Sequence, residues 1–85
     1  MIKALIVDDH QLVRTGLVGL LEQEPGIQVI GESASGEEAV RAVDELNPQV
    51  ISMDLQMRGI GGLEASKRCL RIAPDVKIIV LSMLE

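Results

Sequence analysis

The stretch LIVDDH, at residues 5–10, contains the pattern from which both the fold and a functional site are predicted. Three apolar residues run without a break into two adjacent aspartates and a histidine. A continuous apolar run, rather than an alternating one, is typical of a strand in a parallel sheet that is covered on both faces. We therefore predict a buried strand over residues 3–7 that ends in two like charges, Asp8 and Asp9.

The rest of the chain alternates short strands with helices. Further strands are predicted over residues 27–32, 50–54 and 76–82, where apolar runs are bounded by turn residues. The predicted helices begin at Asp9 or His10, at Ser35 and near Leu63, and they end before Pro25-Gly26, at Asn47-Pro48 and near Arg71. The order βαβαβαβ implies an α/β fold with a doubly wound parallel sheet and right-handed crossovers.

Two of the helices carry clear signals. Ser35 is followed three residues later by Glu38, which is the spacing of a capping box. Apolar residues at helical spacing predict the inward faces of the first two helices. They are Val13, Leu17, Leu20 and Leu21 in the first helix, and Ala39, Val40, Val43 and Leu46 in the second.

Polar residues stand at the ends of three of the predicted strands. The first strand ends in Asp8-Asp9, the third in Asp54 and the fourth in Ser82. Ligands of open parallel sheets bind beyond the carboxyl ends of the strands, where the strand order reverses. If the first and third strands are neighbours, three carboxylates converge there, and a hard cation such as Mg²⁺ offsets their repulsion. Taken singly, an aspartate such as Asp9 is more often a structural helix N-cap, and one such as Asp54 a turn residue, than a functional group.

Composition narrows the class of protein. The 85 residues suffice for one domain, and the core must be aliphatic because the sequence has no aromatic residue. A net charge of −5 argues against nucleic-acid binding by this segment. The single cysteine, Cys69, excludes an internal disulfide and favours a reducing, cytoplasmic setting. No apolar run is long enough to span a membrane, and the N-terminal segment is not a signal peptide.

Four short motifs together carry a resemblance to a known family. They are VDDH at 7–10, MDLQM at 53–57, GGLEA at 61–65 and VLS at 80–82. With them the chain resembles the receiver domain of bacterial two-component response regulators of the NarL/FixJ class, and within that class the GacA/UvrY regulators. The resemblance implies a flavodoxin-like (CheY-like) sheet with strand order 2-1-3-4. It also implies a signalling phosphoacceptor, and not an enzyme that acts on other substrates.

The resemblance assigns a role to each of five residues. Asp54 matches the phosphoacceptor, which takes a phosphoryl group from a phosphohistidine of a sensor histidine kinase. Asp9 matches the direct Mg²⁺ ligand, Asp8 the acidic neighbour that binds the metal through water, and the backbone carbonyl of Gln56 the main-chain ligand. Mn²⁺ is an alternative ion. Ser82 matches the switch hydroxyl that bonds the phosphoryl group.

The chain departs from the family pattern in two respects. Arg58 stands where the family that the chain resembles usually has proline, and it either points into solvent or contacts the phosphoryl group or a partner. The family's fourth helix, its fifth strand with a conserved lysine, its fifth helix and its DNA-binding output domain would all follow Glu85. We therefore expect residues 1–85 to be a partial receiver whose fourth strand is an exposed apolar edge. Such an edge favours a homodimer or a strand-exchanged assembly, unless the chain is a piece of a longer one. DNA would be contacted only through an output domain.

Two other functional classes remain open. The same fold could serve as a protein-interaction module that works without phosphorylation. An unrelated doubly wound enzyme is less consistent with the sequence, because there is no P-loop and no G-x-G-x-x-G after a strand. His10 is either a residue of the first helical turn or a metal ligand, while Cys69, Met53 and Met57 are expected to pack in the core.

Overall fold

The computed structural model describes residues 1–81, which form a four-stranded sheet and three helices. The elements follow in the order β1 (Ile2–Val7), α1 (Gln11–Glu22), β2 (Ile27–Ser33), α2 (Gly36–Leu46), β3 (Val50–Asp54), α3 (Gly61–Ile72) and β4 (Lys77–Leu81). All strand pairs are parallel, and the strand order is β2-β1-β3-β4. The predicted fold class and strand order are therefore confirmed.

The main core lies between one face of the sheet and the helices α2 and α3. Alternate residues of the two central strands point into it, and each is at most 1% exposed. They are Leu5 and Val7 of β1 and Ile51 and Met53 of β3. The intervening residues of β1 face the other side of the sheet, because successive strand residues point to opposite faces. Helix α1 packs against β1 and β2, and the reversal of strand order puts it on that other side.

The inward stripe of α1 differs from the predicted one. Val13 and Leu20 are exposed, and no residue of α1 is fully buried. The half-buried positions of the helix are Arg14, Leu17, Val18 and Leu21. This spacing is that of a single helix face, so the stripe starts with an arginine and not with Val13.

The ends of the elements agree with the prediction to within about two residues. The N-cap of α2 is Ser35, whose hydroxyl accepts a hydrogen bond from the amide of Glu38 at 3.1 Å, as expected for a capping box. Helix α2 ends at Asn47, which has a positive φ of 51°. Strand β4 is described as far as Leu81, and the predicted last residue of that strand, Ser82, lies outside the described residues.

Strand β4 is the outer strand of the sheet as far as residues 1–81 define it. Its side chains are largely exposed, with relative exposures of 56% for Ile79, 46% for Val80 and 37% for Leu81. The predicted apolar edge is thus present within residues 1–81.

The three sulfur-containing residues expected in the core, Cys69, Met53 and Met57, are all buried there.

Helix α3 begins directly against the end of β3. The amide of Gly62 donates a hydrogen bond to the carbonyl oxygen of Leu55 at 3.3 Å. A Cβ atom on Gly62 would lie 2.7 Å from the Cα of Leu55 and closer still to the carbonyl oxygen of Asp54. Only a glycine therefore lets α3 approach the segment that carries Asp54 this closely.

The close approach at Gly62 predicts a specific loss of stability. Gly62→Ala should lower the free energy of unfolding by about 1–3 kcal/mol, because the new methyl group overlaps backbone atoms that cannot move aside. Gly16→Ala is the matched control, since it lies inside α1 with no atom within 4 Å of its added Cβ. The control should be stabilising by about 0.5–1 kcal/mol, as for an exposed helical glycine. Urea unfolding of both variants tests this, and equal effects would contradict it.

Candidate functional site

Three aspartates meet at the carboxyl edge of the sheet. Asp8 and Asp9 follow β1, and Asp54 is the last residue of β3. Val7 pairs with Met53 in the parallel ladder, so the next residue of each strand, Asp8 and Asp54, stand side by side. One ligand atom from each of Asp8, Asp9, His10 and Asp54 lies within 4.8 Å of all the others. The predicted convergence of the three carboxylates is confirmed; their roles stay predictions.

The carboxylates are largely removed from water. Asp8 is 5% exposed and Asp54 is 6% exposed. Asp9 is half-buried, and its Oδ1 atom is buried without a hydrogen-bond partner in the described part of the chain. Burying a charged oxygen without a hydrogen bond is costly, so this atom is an acceptor that a bound cation would satisfy.

Backbone amides hold two of the three carboxylates. The amide of His10 donates to Oδ1 of Asp8 at 2.8 Å, and the amide of Gln56 donates to Oδ1 of Asp54 at 3.0 Å. Both bonds join residues two apart, as in an Asx turn. They fix the direction of each side chain, so the carboxylates point at one another despite their like charges.

His10 stands at the start of α1, and its imidazole contacts the acidic cluster. It is the N-cap residue of α1, as one of the two sequence interpretations expected. Its Nδ1 atom lies 3.1 Å from Oδ1 of Asp8, 3.0 Å from Oδ1 of Asp9 and 4.0 Å from Oδ2 of Asp54. The hydrogen bond to Asp8, with the charge of Asp9 next, raises the pKa of the imidazole. The Nδ1 atom of His10 and Oδ1 of Asp9 are in close ionic contact, but their geometry is not that of a hydrogen bond.

Burial is the main influence on Asp54. It raises the pKa of this carboxyl group, the Gln56 amide opposes the shift, and the charges of Asp8 and Asp9 add to it. The carboxyl group of Asp54 is thus poorly solvated and lies beside two further carboxylates.

Arg14 is a contributor that the sequence analysis did not single out. Its Nη1 atom donates to the backbone carbonyl of Asp8 at 2.7 Å, and its Nε atom donates to Oε1 of Glu32 at 3.1 Å. The signal was present in the sequence, because positions 14, 17, 18 and 21 share one helix face. That face packs against the sheet, so an arginine on it needs a polar partner for its partly buried charge.

Gln56, Arg58 and Ser82 are the other residues for which the sequence suggested a part in the site. The amide of Gln56 is bonded to Asp54, while the role of the Gln56 carbonyl stays a prediction. Arg58 is exposed, and its side chain makes no hydrogen bond or ion pair within residues 1–81, in agreement with a residue that points into solvent. Ser82 lies outside the described residues, so the predicted switch hydroxyl is not tested.

The donor set fits a hard divalent cation. Its carboxylate oxygens are the ligands that Mg²⁺ and Mn²⁺ prefer, whereas structural zinc sites are dominated by sulfur and nitrogen. The unpartnered Oδ1 of Asp9 is an acceptor available to such an ion. The residues present therefore fit a magnesium site.

Known proteins with similar sequences and structures share this arrangement of strands. The family described as response regulator receiver domain matches residues 4–85. The response regulator GacA of Pseudomonas syringae pv. syringae (strain B728a) is 49% identical over 85 residues, which is 100% of this chain and 40% of that protein. The chain thus spans well under half the length of this curated relative.

Two solved structures superpose closely. The response regulator domain of Thermotoga maritima CheB has a TM-score of 0.92 at 36% identity, covering 96% of this chain and 60% of that one. RcsB from Salmonella enterica serovar Typhimurium, bound to the promoter rprA in the presence of the phosphomimetic BeF₃⁻, has a TM-score of 0.90 at 31% identity, covering 100% of this chain and 72% of that one.

Among residues 1–81, no helix combines the length and the apolar character needed to cross a lipid bilayer.

The family match covers nearly the whole chain, and the sheet order and the acidic edge agree with it. The chain belongs to the receiver domains of two-component response regulators, and it is similar to the GacA and UvrY regulators.

Proposed function

We propose that the chain is a phosphoacceptor receiver in which Asp54 accepts a phosphoryl group from a phosphohistidine of a sensor histidine kinase. The observation that carries the proposal is the position of Asp54, which is buried at the sheet edge with Asp8 and Asp9 close beside it. The RcsB structure, which was solved with a phosphomimetic, supports the same reading of the fold.

The transfer forms one bond and breaks one bond. An oxygen of the Asp54 carboxylate attacks the phosphorus and forms a new P–O bond, while the P–N bond to the imidazole breaks. The electron pair of that bond returns to the imidazole nitrogen, and the product is an acyl phosphate on Asp54. Asp54 acts in this step as a carboxylate nucleophile, as in other aspartyl-phosphate systems.

The other residues of the site orient Asp54 and manage charge. The amide of Gln56 holds Oδ1 of Asp54, which leaves Oδ2 as the attacking atom. Asp8, Asp9, Asp54 and the carbonyl of Gln56 would hold Mg²⁺ or Mn²⁺. When bound, the ion supplies positive charge that offsets the carboxylates and the incoming phosphoryl oxygens.

Phosphorylation of Asp54 would act on a larger regulatory protein. Phosphorylation would switch a transcriptional regulator in the cytoplasm, with Ser82 as the hydroxyl that senses the phosphoryl group. DNA would be bound by an output domain distinct from residues 1–85. RcsB, a structural relative that was solved bound to a promoter, supports a role in transcription.

A second copy of the chain is a further proposed partner. Strand β4 has no neighbour on its outer side within the described residues, and Ile79, Val80 and Leu81 are exposed along it. Unpaired backbone groups and apolar side chains at an edge favour pairing with another strand. We propose that the 85-residue chain self-associates through β4.

The phosphoacceptor assignment predicts a covalent adduct. Incubation with Mg²⁺ and acetyl phosphate should add one phosphoryl group to the chain, because acetyl phosphate, like phosphohistidine, carries a phosphoryl group on a good leaving group. Asp54→Asn should abolish the adduct, whereas Asp44→Asn, an exposed aspartate of α2, should leave it unchanged. Intact mass spectrometry detects the adduct.

The absence of an adduct in a folded chain that binds Mg²⁺ would contradict the assignment. In that outcome the interaction module that works without phosphorylation would become the better description of this fold. An adduct that persists in Asp54→Asn would instead place the acceptor at another residue.

The edge proposal predicts a concentration-dependent dimer. Sedimentation equilibrium should show dimers of the chain, and Ile79→Lys should shift them towards monomers, since a charge on β4 opposes edge pairing. Leu12→Lys is the matched control, because Leu12 is an apolar residue of α1 that is 89% exposed. A chain that stays monomeric at all concentrations, or equal effects of the two variants, would overturn the proposal.

A further inference from the structure

Arg14 joins three elements of the fold at one point. It lies in the first turns of α1, and its side chain is only 16% exposed. The guanidinium donates to the carbonyl oxygen of Asp8, at the end of β1, and to the carboxylate of Glu32, in β2. A planar guanidinium presents several donors in a fixed fork, which makes arginine suited to such a bridge.

Asp8 is held through its amide, its carbonyl and one of its carboxylate oxygens. Its amide donates to the carbonyl oxygen of Ser33 at 3.1 Å, its carbonyl accepts from Arg14 at 2.7 Å, and its Oδ1 accepts from the amide of His10 at 2.8 Å. The backbone turn from Asp8 to His10 sets where the carboxylates of Asp8 and Asp9 point. Of these three bonds, the one from Arg14 comes from a permanently charged side chain, and the imidazole Nδ1 of His10 also lies 3.1 Å from Oδ1.

The bond from Arg14 opposes the repulsion within the cluster. Three like charges at one edge favour any movement of the turn that separates them. A charge-assisted hydrogen bond to the Asp8 carbonyl holds the turn against that movement. Glu32 is half exposed, at 46%, so its ion pair with Arg14 contributes little stability by itself. Its effect is to fix the orientation of the guanidinium.

We propose that Arg14 is a positioning residue that holds the Asp8–Asp9 turn in the geometry needed for divalent cation binding, with Glu32 fixing its orientation. The proposal rests on the function proposed above, in that the cation is the one used in phosphoryl transfer. It adds a part of α1 and β2 to a site whose ligands come from β1, β3 and the loops that follow them.

The sign of the effect separates positioning from simple electrostatics. Arg14 is a cation close to the acidic cluster, so through space it repels a metal ion. If charge alone mattered, removing it would strengthen metal binding. If Arg14 positions the turn, removing it weakens binding even though a repulsive charge has been lost.

The test compares Mg²⁺ affinity by calorimetric titration of the chain and of two Arg14 variants. Arg14→Gln removes the charge and the fork, whereas Arg14→Lys keeps the charge but has no planar fork with which to bridge two acceptors. We expect both variants to bind Mg²⁺ roughly tenfold more weakly, as is common when the partners that orient metal ligands are lost. The lysine variant should be at least as weak as the glutamine variant.

Arg68→Gln is the matched control. Arg68 makes the same kind of bond, from its Nε atom to a carboxylate oxygen of Glu64 at 3.0 Å, but it lies on α3 and contacts none of the three aspartates. Its loss should leave the Mg²⁺ affinity unchanged. Thermal unfolding of all the variants corrects for any general loss of stability.

A second readout requires neither metal nor phosphorylation. Hydrogen exchange of the amides of Asp8 and His10, which are both hydrogen-bonded, should be faster in both Arg14 variants and unchanged in Arg68→Gln when it is followed by NMR in the metal-free chain. This result, together with weaker Mg²⁺ binding, would establish the positioning role even if the chain formed no acyl phosphate. Stronger Mg²⁺ binding by Arg14→Gln, or unchanged affinity with unchanged exchange, would overturn the proposal.

Discussion

The mutual repulsion of three carboxylates is the constraint on which the site depends. Asp8, Asp9 and Asp54 bring ligand atoms within 4.8 Å of one another, and two unit charges about 4 Å apart repel by roughly 4 kcal/mol at an effective dielectric constant of about 20. This cost is comparable with much of the stability of a small domain, which is about 5–15 kcal/mol. A protein retains such a cluster when a cation offsets it.

The fold resists the repulsion with backbone contacts on each side of the cluster. The parallel register of β1 and β3 sets Asp8 beside Asp54. Gly62 lets α3 press against the end of β3, and Arg14 holds the carbonyl of Asp8. The imidazole of His10 lies among the carboxylates, where its hydrogen bond to Asp8 and the charge of Asp9 raise its pKa. The site is therefore held in place by the scaffold before any cation is bound.

The sequence predicts the sheet and the acidic edge well, because both depend on local signals. Continuous apolar runs mark the strands, and Asp8, Asp9 and Asp54 stand directly at strand ends. The inward face of α1 and the bridge made by Arg14 were missed, since both depend on which strands the helix covers. Burial decides such a face, and a polar residue such as Arg14 is not counted when apolar residues alone are matched to a helical period. The predicted role of Ser82 lies outside the described residues.

The most direct test of this account is the effect of Mg²⁺ on the free energy of unfolding, measured by urea denaturation of the chain and of Asp9→Asn. An ion that binds only the folded state stabilises it in proportion to the logarithm of its concentration above the dissociation constant. The account predicts that Asp9→Asn is more stable than the unmodified chain without Mg²⁺, and that Mg²⁺ stabilises the unmodified chain much more than the variant. Equal stabilities without the ion, or no response to Mg²⁺ in the unmodified chain, would contradict the claim that the site is a cluster of mutually repelling carboxylates whose charge a bound cation offsets.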